Sequence, residues 1–118
     1  MAGIVFFDTA ALDRVVEFYT ERLDASVWLE QSGCTILRHE NFLVGFCAGD
    51  TPETEGTITL FYDDRSGVDE MYDRIEKRAR GRPEVNEAYD IYQFFADDPE
   101  GRTLEFQTFL HPIDPEVG

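Results

Sequence analysis

Apolar residues recur with one helical spacing at two places in the chain. The first stripe consists of Leu12, Val15, Val16, Tyr19 and Leu23. The second stripe consists of Val68, Met71, Tyr72, Ile75 and Ala79. Both have offsets of 0, 3, 4, 7 and 11 residues, which is typical of the buried face of an amphipathic helix. The second stripe begins 56 residues after the first, close to half of the 118 residues, so the pattern predicts two similar modules.

Short apolar segments, separated by turn residues, surround the two helices. The helices are predicted at about residues 11–22 and 68–80. The strands are predicted at about residues 4–7, 27–29, 34–38, 42–47, 57–62, 84–86, 91–96 and 102–109. The order βαβββ therefore occurs twice. It predicts an α+β fold in which two βαβββ modules form curved mixed sheets around a central cleft, with the helices outside.

Polar segments set the predicted boundaries inside a single domain of residues 1–118. Module one is predicted at about residues 1–48, a polar linker at about 49–55, module two at about 56–110, and a tail at 111–118. With two equivalent modules, we expect the functional site to lie in the concave surface between them.

The predicted helix ends carry signals of their own. Asp8 or Thr9 can cap the first helix through a side-chain oxygen, and an Asp or Ser within residues 63–67 can cap the second. The second helix is expected to end in basic residues that suit the negative end of the helix dipole, with Gly81 as a left-handed stop. These basic residues are Lys77, Arg78 and Arg80. A nucleic-acid patch is the alternative interpretation of the same residues.

The apolar segments and the cysteines indicate in which cellular compartment the protein is expected. No apolar run approaches the ~20 residues that span a bilayer, so we expect no membrane association. The start, Met-Ala-Gly-Ile-Val, has no basic segment and is interpreted as a first strand rather than a signal peptide. Cys34 and Cys47 give no disulfide framework and no metal-type spacing. We interpret them as inert core thiols in a reduced cytoplasm.

The charge balance is strongly acidic. Twenty-five acids oppose ten bases, giving a net charge of −15 and an isoelectric point near 4.2. Self-repulsion of this size destabilises a small domain in dilute buffer, but at molar salt the Debye length falls to about 3 Å. We therefore infer a cytoplasm of very high ionic strength, with an ordinary acidic protein as the alternative. A role in binding a nucleic-acid duplex is disfavoured, because such binding requires several phosphates to be neutralised and this acidic chain offers nothing that could do so.

Two segments resemble a known family. Phe18-Tyr19-Thr-Glu-Arg-Leu23 is similar to the helix end "FYxxxLG" of the vicinal oxygen chelate superfamily, with Asp24 in place of the glycine. The segment from Phe95 to Phe106, FADDPEGRTLEF, is similar to its closing hairpin. This superfamily includes glyoxalase I, extradiol dioxygenases, fosfomycin-resistance enzymes and metal-free bleomycin-resistance proteins. The resemblance implies paired βαβββ modules and a homodimer, but it leaves the activity open.

The resemblance also implies up to four equivalent metal-ligand positions, on the first and last strands of each module. In this chain they are expected near Ile4, Val44, Thr57 and Glu105. Glu105 is the one match, and a single carboxylate cannot hold a catalytic divalent ion. His39 and His111 match no ligand position. We therefore predict no metal site and no cofactor.

Glu105 is the central candidate residue. It alternates with Leu104 and Phe106, so it is expected to face away from the helix, with Arg102 or Tyr92 as its hydrogen-bond partner. There it can anchor a cationic or hydroxylated ligand or act as a general base; the alternative is a structural role. Aromatic residues are expected to line the same cleft. They are Trp28, Phe46, Tyr62, Tyr92, Phe94 and Phe109.

Three functions follow from these observations. The preferred hypothesis is a metal-free, glyoxalase/bleomycin-resistance-like homodimer that binds a small organic molecule between its modules. Its predicted ligand-binding residues are Glu105, Trp28, Phe46, Tyr62 and Tyr92, and no catalytic residue is assigned. The first alternative is a divalent-metal-dependent lyase, isomerase or dioxygenase that uses Glu105 as a ligand. The second is a structural or regulatory dimer without a ligand.

Overall fold

The structure, a computed structural model, describes residues 2–114. Each module contributes four strands and one α-helix. The elements are β1 (Ile4–Thr9), α1 (Leu12–Arg22), β2 (Ser26–Gln31), β3 (Cys34–His39), β4 (Phe42–Ala48), β5 (Thr57–Phe61), α2 (Arg65–Ile75), a 3₁₀ turn (Glu76–Arg78), β6 (Glu84–Asn86), β7 (Ile91–Asp97) and β8 (Thr103–Phe109). The predicted tail extends past residue 114, so its end lies outside the described residues.

The chain divides into two compact units, with the boundary between Thr54 and Glu55. Each unit contains one mixed four-stranded sheet, with the order β1-β4-β3-β2 in the first and β5-β8-β7-β6 in the second. The first strand of each unit pairs in parallel with the last, and the remaining pairs are antiparallel. The predicted α+β fold with two βαβββ modules is confirmed.

Helix α1 covers one face of the first sheet. The stripe residues Val15, Tyr19 and Leu23 are buried, and the ring centroid of Tyr19 lies 4.9 Å from that of Phe46 on β4. Burying side chains of this size contributes about 1.5–3 kcal/mol each, which holds the helix on the sheet. The helix begins after Ala11, which has no side-chain cap, so the predicted cap is wrong. The Thr9 hydroxyl instead accepts a hydrogen bond from the Ala11 backbone amide at 3.1 Å.

Helix α2 covers one face of the second sheet and begins at Arg65, three residues before the predicted start, although its cap lies in the predicted segment. The Asp64 carboxylate is the N-cap and accepts from the backbone amide of Gly67. A Cβ atom at Gly67 would lie 2.7–2.9 Å from atoms of Tyr62, so glycine allows the helix start to approach the end of β5. Within residues 2–114, neither helix is long and apolar enough to cross a membrane.

The end of α2 differs from the prediction. The α-helix ends at Ile75, and a 3₁₀ turn follows. Ala79 is extended and forms a bridge with Ala96, and the Arg80 amide donates to the Phe95 carbonyl at 2.8 Å. Hydrogen bonds to the edge of β7 therefore replace the last helical turn. Gly81 is not a left-handed stop, because its φ angle is not positive.

The turn between β7 and β8 is built around a buried ion pair. Arg102 is 1% exposed, and its Nη1 atom lies 3.1 Å from Asp98 and 2.9 Å from Glu100. Asp98 also accepts from the backbone amides of Glu100 and Arg102. Burial alone would lower the pKa of Arg102, but the hydrogen bonds to Asp98 and Glu100 raise it. Gly101 adopts the predicted left-handed conformation, with φ at 86°.

Cys34 and Cys47 form a disulfide, so their interpretation as inert core thiols is wrong. They are direct register partners on β3 and β4, and their Cα atoms lie 4.1 Å apart. Both residues are half-buried rather than in the core. Their spacing in the sequence does not show the pairing, because the strand register decides which residues face each other.

Candidate functional site

Alternate residues of the second sheet point toward α2 or away from it. Leu104, Phe106 and Thr108 are buried on the helix side, so Glu105 and Gln107 lie on the opposite side. We call this second side the distal face. The strand register adds residues from the neighbouring strands to it. They are Thr59 and Phe61 on β5, Gln93 and Phe95 on β7, and Asn86 on β6.

A row of hydrogen-bonded side chains crosses all four strands on the distal face. Thr59 donates to Oε1 of Glu105 at 2.8 Å, and Gln93 donates to Oε2 at 2.5 Å. The Oε1 atom of Gln93 accepts from Asn86 at 2.9 Å, and the Oδ1 atom of Asn86 accepts from the Ala88 backbone amide at 3.1 Å. We call these four side chains, Thr59, Glu105, Gln93 and Asn86, the polar row. It fixes the position of the Glu105 carboxylate.

The distal face is rich in hydrogen-bond acceptors. The hydrogen bonds from Thr59 and Gln93 to the Glu105 carboxylate come from neutral donors, and each carboxylate oxygen can accept a further hydrogen bond. The Oε1 atom of Gln107, two residues along the same strand, is buried and has no hydrogen-bond partner among the described residues. An unsatisfied buried acceptor costs about 1–3 kcal/mol. This arrangement favours a molecule that brings N–H or O–H donors.

The predicted partners of Glu105 are wrong. Arg102 is committed to Asp98 and Glu100 in the turn. Tyr92 points toward α2, because it alternates with Gln93 on β7, and its hydroxyl donates to Asp69 at 2.6 Å. Tyr92 therefore lies on the face opposite Glu105.

The setting of Tyr92 gives a testable pH dependence. The hydrogen bond to Asp69, then burial and the negative charge of Asp69, raise the pKa of Tyr92, while Arg65 opposes them. A raised pKa in the folded state stabilises the fold below the ordinary pKa of tyrosine, and this contribution is lost as the pH rises through the raised value. We expect the Asp69→Asn variant to lower the pKa of Tyr92, as measured by NMR titration of the tyrosine Cζ signals. The Asp73→Asn variant is the matched control, and an unchanged Tyr92 titration in Asp69→Asn would contradict the assignment.

The other predicted aromatic residues differ in their surroundings, and each is described within its own unit. Phe46 is fully buried under α1, and Tyr62 packs against the start of α2. Phe94 stacks on Phe106 in the core of the second unit. Trp28 is half exposed at a bulge of β2, in the first unit. Of the aromatic residues predicted for the cleft, Phe109 is the one placed on the distal face.

Other aromatic residues join Phe109 on the distal face. The ring of Phe109 lies 5.5 Å from that of Phe61, which is 38% exposed. Phe95, 39% exposed, is the direct register partner of Glu105. The distal face therefore combines one carboxylate, amide and hydroxyl groups, and exposed rings.

The two sheets show which residues occupy equivalent positions. Val44 and Phe46 are buried in the first sheet as Leu104 and Phe106 are in the second, so Gly45 is the equivalent of Glu105. The register partner of Glu105 on β5 is Thr59, and that of Gly45 on β1 is Phe6. The expected positions Ile4 and Thr57 are therefore two residues too early. The Phe6 ring lies over Gly45, where a Cβ atom would be 2.4 Å from it.

These four positions do not provide a set of metal ligands. They hold a carboxylate, a hydroxyl group, a phenyl ring and a glycine, whereas a divalent ion requires three or four donors. Across residues 2–114, no group of three or more His, Cys, Asp or Glu side chains is placed to hold a metal ion. His39 ends β3, and His111 packs its ring against Phe109 beyond β8. The metal implied by the family resemblance does not fit these residues.

Several residues of the distal face were missed by sequence reasoning. Gln93 lies within the apolar segment Ile91–Ala96, and Thr59 within an apolar strand, so both were assigned to strands without a role. The signal that could have found them is strand alternation, since a polar residue between buried neighbours faces the other side of the sheet. Asn86 and Gln107 follow the same rule.

Comparison with known proteins places the fold. No protein-family model matches the chain, and no curated protein sequence matches it. Among solved structures, a glyoxalase/bleomycin resistance protein/dioxygenase family enzyme from Burkholderia phytofirmans PsJN superposes with a TM-score of 0.79 at 16% identity, covering 91% of this chain and 97% of that one. A glyoxalase-related enzyme from Fulvimarina pelagi gives a TM-score of 0.79 at 10% identity, covering 100% and 95%. The chain has the vicinal oxygen chelate fold.

A third solved structure supports this fold assignment. A glyoxalase/bleomycin resistance protein/dioxygenase from Nocardioides gives a TM-score of 0.77 at 14% identity, covering 98% of this chain and 87% of that one. Identities this low show the fold alone, and one fold hosts many activities. Function must therefore be argued from the distal face.

Proposed function

We propose that this chain binds a small organic molecule on the distal face of its second sheet, with Glu105 as the anchor and without a metal ion. The observation that supports this most directly is the placement of the Glu105 carboxylate between Thr59 and Gln93. A carboxylate held by neutral donors keeps its charge available to a ligand, whereas one in an ion pair does not.

The chemistry of the face indicates the class of ligand. The carboxylate of Glu105 and the buried Oε1 atom of Gln107 are both hydrogen-bond acceptors, so the ligand is expected to carry ammonium, amidine or hydroxyl donors. The rings of Phe61 and Phe95 suit an aromatic or apolar body.

The proposal extends to the setting of the protein. A homodimer in a setting of high ionic strength is supported by two features. The edge strand β1 exposes Val5 and Phe6 at 48% and 50%, and a second copy could cover such a strand. The excess of 25 acids over ten bases favours high salt. The wider prediction, that the ligand lies between the two modules, stays a prediction.

Binding of benzylammonium, measured by isothermal titration calorimetry and thermal shift, tests the proposal. We expect the Glu105→Gln variant to bind about tenfold or more weakly, because a charged hydrogen bond contributes about 1.5–3 kcal/mol and 1.4 kcal/mol is tenfold. At 100 times its Kd, the ligand stabilises the native chain by about 2.7 kcal/mol. Glu70→Gln, which removes an exposed acid on α2, is the matched control and should bind as the native chain does.

Three outcomes would overturn the proposal. Equal binding by the native and Glu105→Gln chains would remove Glu105 as the anchor. Stoichiometric binding of Ni²⁺, Mn²⁺ or Zn²⁺ that is lost in Glu105→Gln would instead support a metal-dependent lyase, isomerase or dioxygenase. If no cationic or hydroxylated aromatic compound shifts the melting temperature, a structural or regulatory dimer is favoured.

A further inference from the structure

A pocket of about 470 Å³ lies beside the polar row, within the second unit. It is formed where the chain leaves the 3₁₀ turn and runs along the edge of β7 toward β6. Its lining includes Arg80, Arg82, Glu84, Asn86, Gln93 and Phe95. Its volume falls within the usual range for small-molecule sites. Because Asn86 and Gln93 also belong to the polar row, the pocket begins where that row ends.

Two of the residues that line this pocket, Arg80 and Arg82, belong to a basic stretch of the chain. Four of the ten basic residues of the chain lie within residues 77–82, which we call the basic run, although the net charge of the chain is −15. Interaction with the end of the helix explains only some of the basic residues in this run. The α-helix ends at Ile75, and Arg80 and Arg82 lie beyond the 3₁₀ turn as well.

The two arginines of the pocket differ in their partners. Arg80 donates to Asp97 from Nε at 3.0 Å and from Nη2, and it also donates to Thr103. The charge of Arg80 is therefore compensated, and these hydrogen bonds hold its side chain in place at the pocket. Arg82 is exposed and makes no hydrogen bond or ion pair with any other described residue.

The chemistry of Arg82 points to an anion. A guanidinium group presents a planar fork of donors that matches a carboxylate or a phosphate. The exposed ring of Phe95 adds a surface for an apolar or aromatic body. Glu84 is the acid of the lining, and it is not within ion-pair distance of Arg82 among the described residues. Its negative charge opposes an anion and so weakens binding without blocking the guanidinium.

We propose that this pocket binds the anionic group, a carboxylate or phosphate, of a small aromatic or apolar molecule through Arg82. The proposal rests on the proposed function, since it names the second end of a molecule whose donor group meets Glu105. Such a molecule carries an anionic group at one end and an ammonium or hydroxyl group at the other.

Titration with benzoate and with phenyl phosphate, followed by backbone-amide NMR, tests the pocket in the native chain. The KCl concentration should be the lowest that preserves the thermal transition, because salt screens the attraction. Shifts are expected at residues 80–86 and 93–95, and the tighter of the two probes shows whether carboxylate or phosphate is preferred. Benzyl alcohol is the uncharged probe and should cause smaller shifts there.

Three variants separate the pocket from general electrostatics. Arg82→Gln should weaken benzoate binding about tenfold, which corresponds to about 1.4 kcal/mol. Lys77→Gln also removes one positive charge from the basic run, but outside the pocket. It should change the benzoate affinity by no more than about twofold, well below the tenfold loss expected for Arg82→Gln. Glu84→Gln should strengthen binding, since it removes the opposing charge.

The outcomes distinguish this proposal from the proposed function. Equal losses in Arg82→Gln and Lys77→Gln, or no shifts at residues 80–86, would overturn the pocket. If benzylammonium still binds and loses affinity in Glu105→Gln, the proposed function stands without it. If neither benzylammonium nor the anionic probes benzoate and phenyl phosphate bind the native chain, both proposals fail.

Discussion

The Asp98→Ala variant is expected to lose about 3–5 kcal/mol of unfolding free energy, the usual effect of breaking a buried ion pair. Asp98 and Arg102 are 2% and 1% exposed, so the variant would leave a buried guanidinium with less compensation. Asp98 also accepts from two backbone amides that shape the turn, and these would lose their acceptor. Because a small domain has a total stability of about 5–15 kcal/mol, the loss should be plain in urea denaturation.

A neighbouring ion pair supplies the control. Asp97→Ala removes the partner of Arg80, but that pair is 44% and 45% exposed, and an exposed pair contributes about 0–1 kcal/mol. The two variants therefore remove adjacent carboxylates with different expected effects. If Asp98→Ala unfolds within about 1 kcal/mol of Asp97→Ala, the buried pair does not hold the hairpin together.

Reduction of the disulfide should lower the unfolding free energy by about 3 kcal/mol, according to the chain-entropy estimate for a loop of this length. Cys34 and Cys47 are separated by 13 residues, and their bond restricts the unfolded chain. The hydrogen bonds between β3 and β4 remain after reduction, so we expect the reduced chain to keep its fold. Urea denaturation with and without a reducing agent measures the difference.

The Cys34→Ala/Cys47→Ala double variant separates the disulfide from other effects of the reducing agent. It should have nearly the stability of the reduced native chain, and the reducing agent should not change it further. Intact-mass measurement before and after reduction reports the thiol state directly. Two free thiols in the untreated, purified chain, together with an unchanged midpoint on reduction, would contradict the pairing.

The fold was largely predictable because two independent patterns agree. The repeated helical stripe gave the two modules, and the closing hairpin gave the resemblance that the solved structures support as a fold. The end of α2 was not predictable from the stripe. Ala79 has helical spacing, but its backbone instead bridges to Ala96 on the sheet, and such tertiary hydrogen bonds are invisible to local periodicity.

The candidate site was predicted at one residue and missed at its neighbours. Strand alternation placed Glu105 on the face away from the helix, as the structure shows. Its partners depend on the register between β5, β7 and β8, which a sequence pattern does not set to within one residue. That uncertainty also explains why Tyr92 was assigned to the wrong face and why Thr57 was named instead of Thr59.

The hydrogen bonds of the polar row converge on Glu105 from its two sides, from Thr59 on one and from Gln93 on the other. On the second side, the backbone amide of Ala88 fixes which end of the Asn86 side chain accepts, and the Asn86 and Gln93 amides can then donate only toward Glu105. Turning one amide over would set two donors or two acceptors against each other. Under the proposed function, the carboxylate is therefore preorganised before a ligand binds, so binding would cost little side-chain entropy, and selectivity would depend on how well the ligand's geometry matches a rigid acceptor.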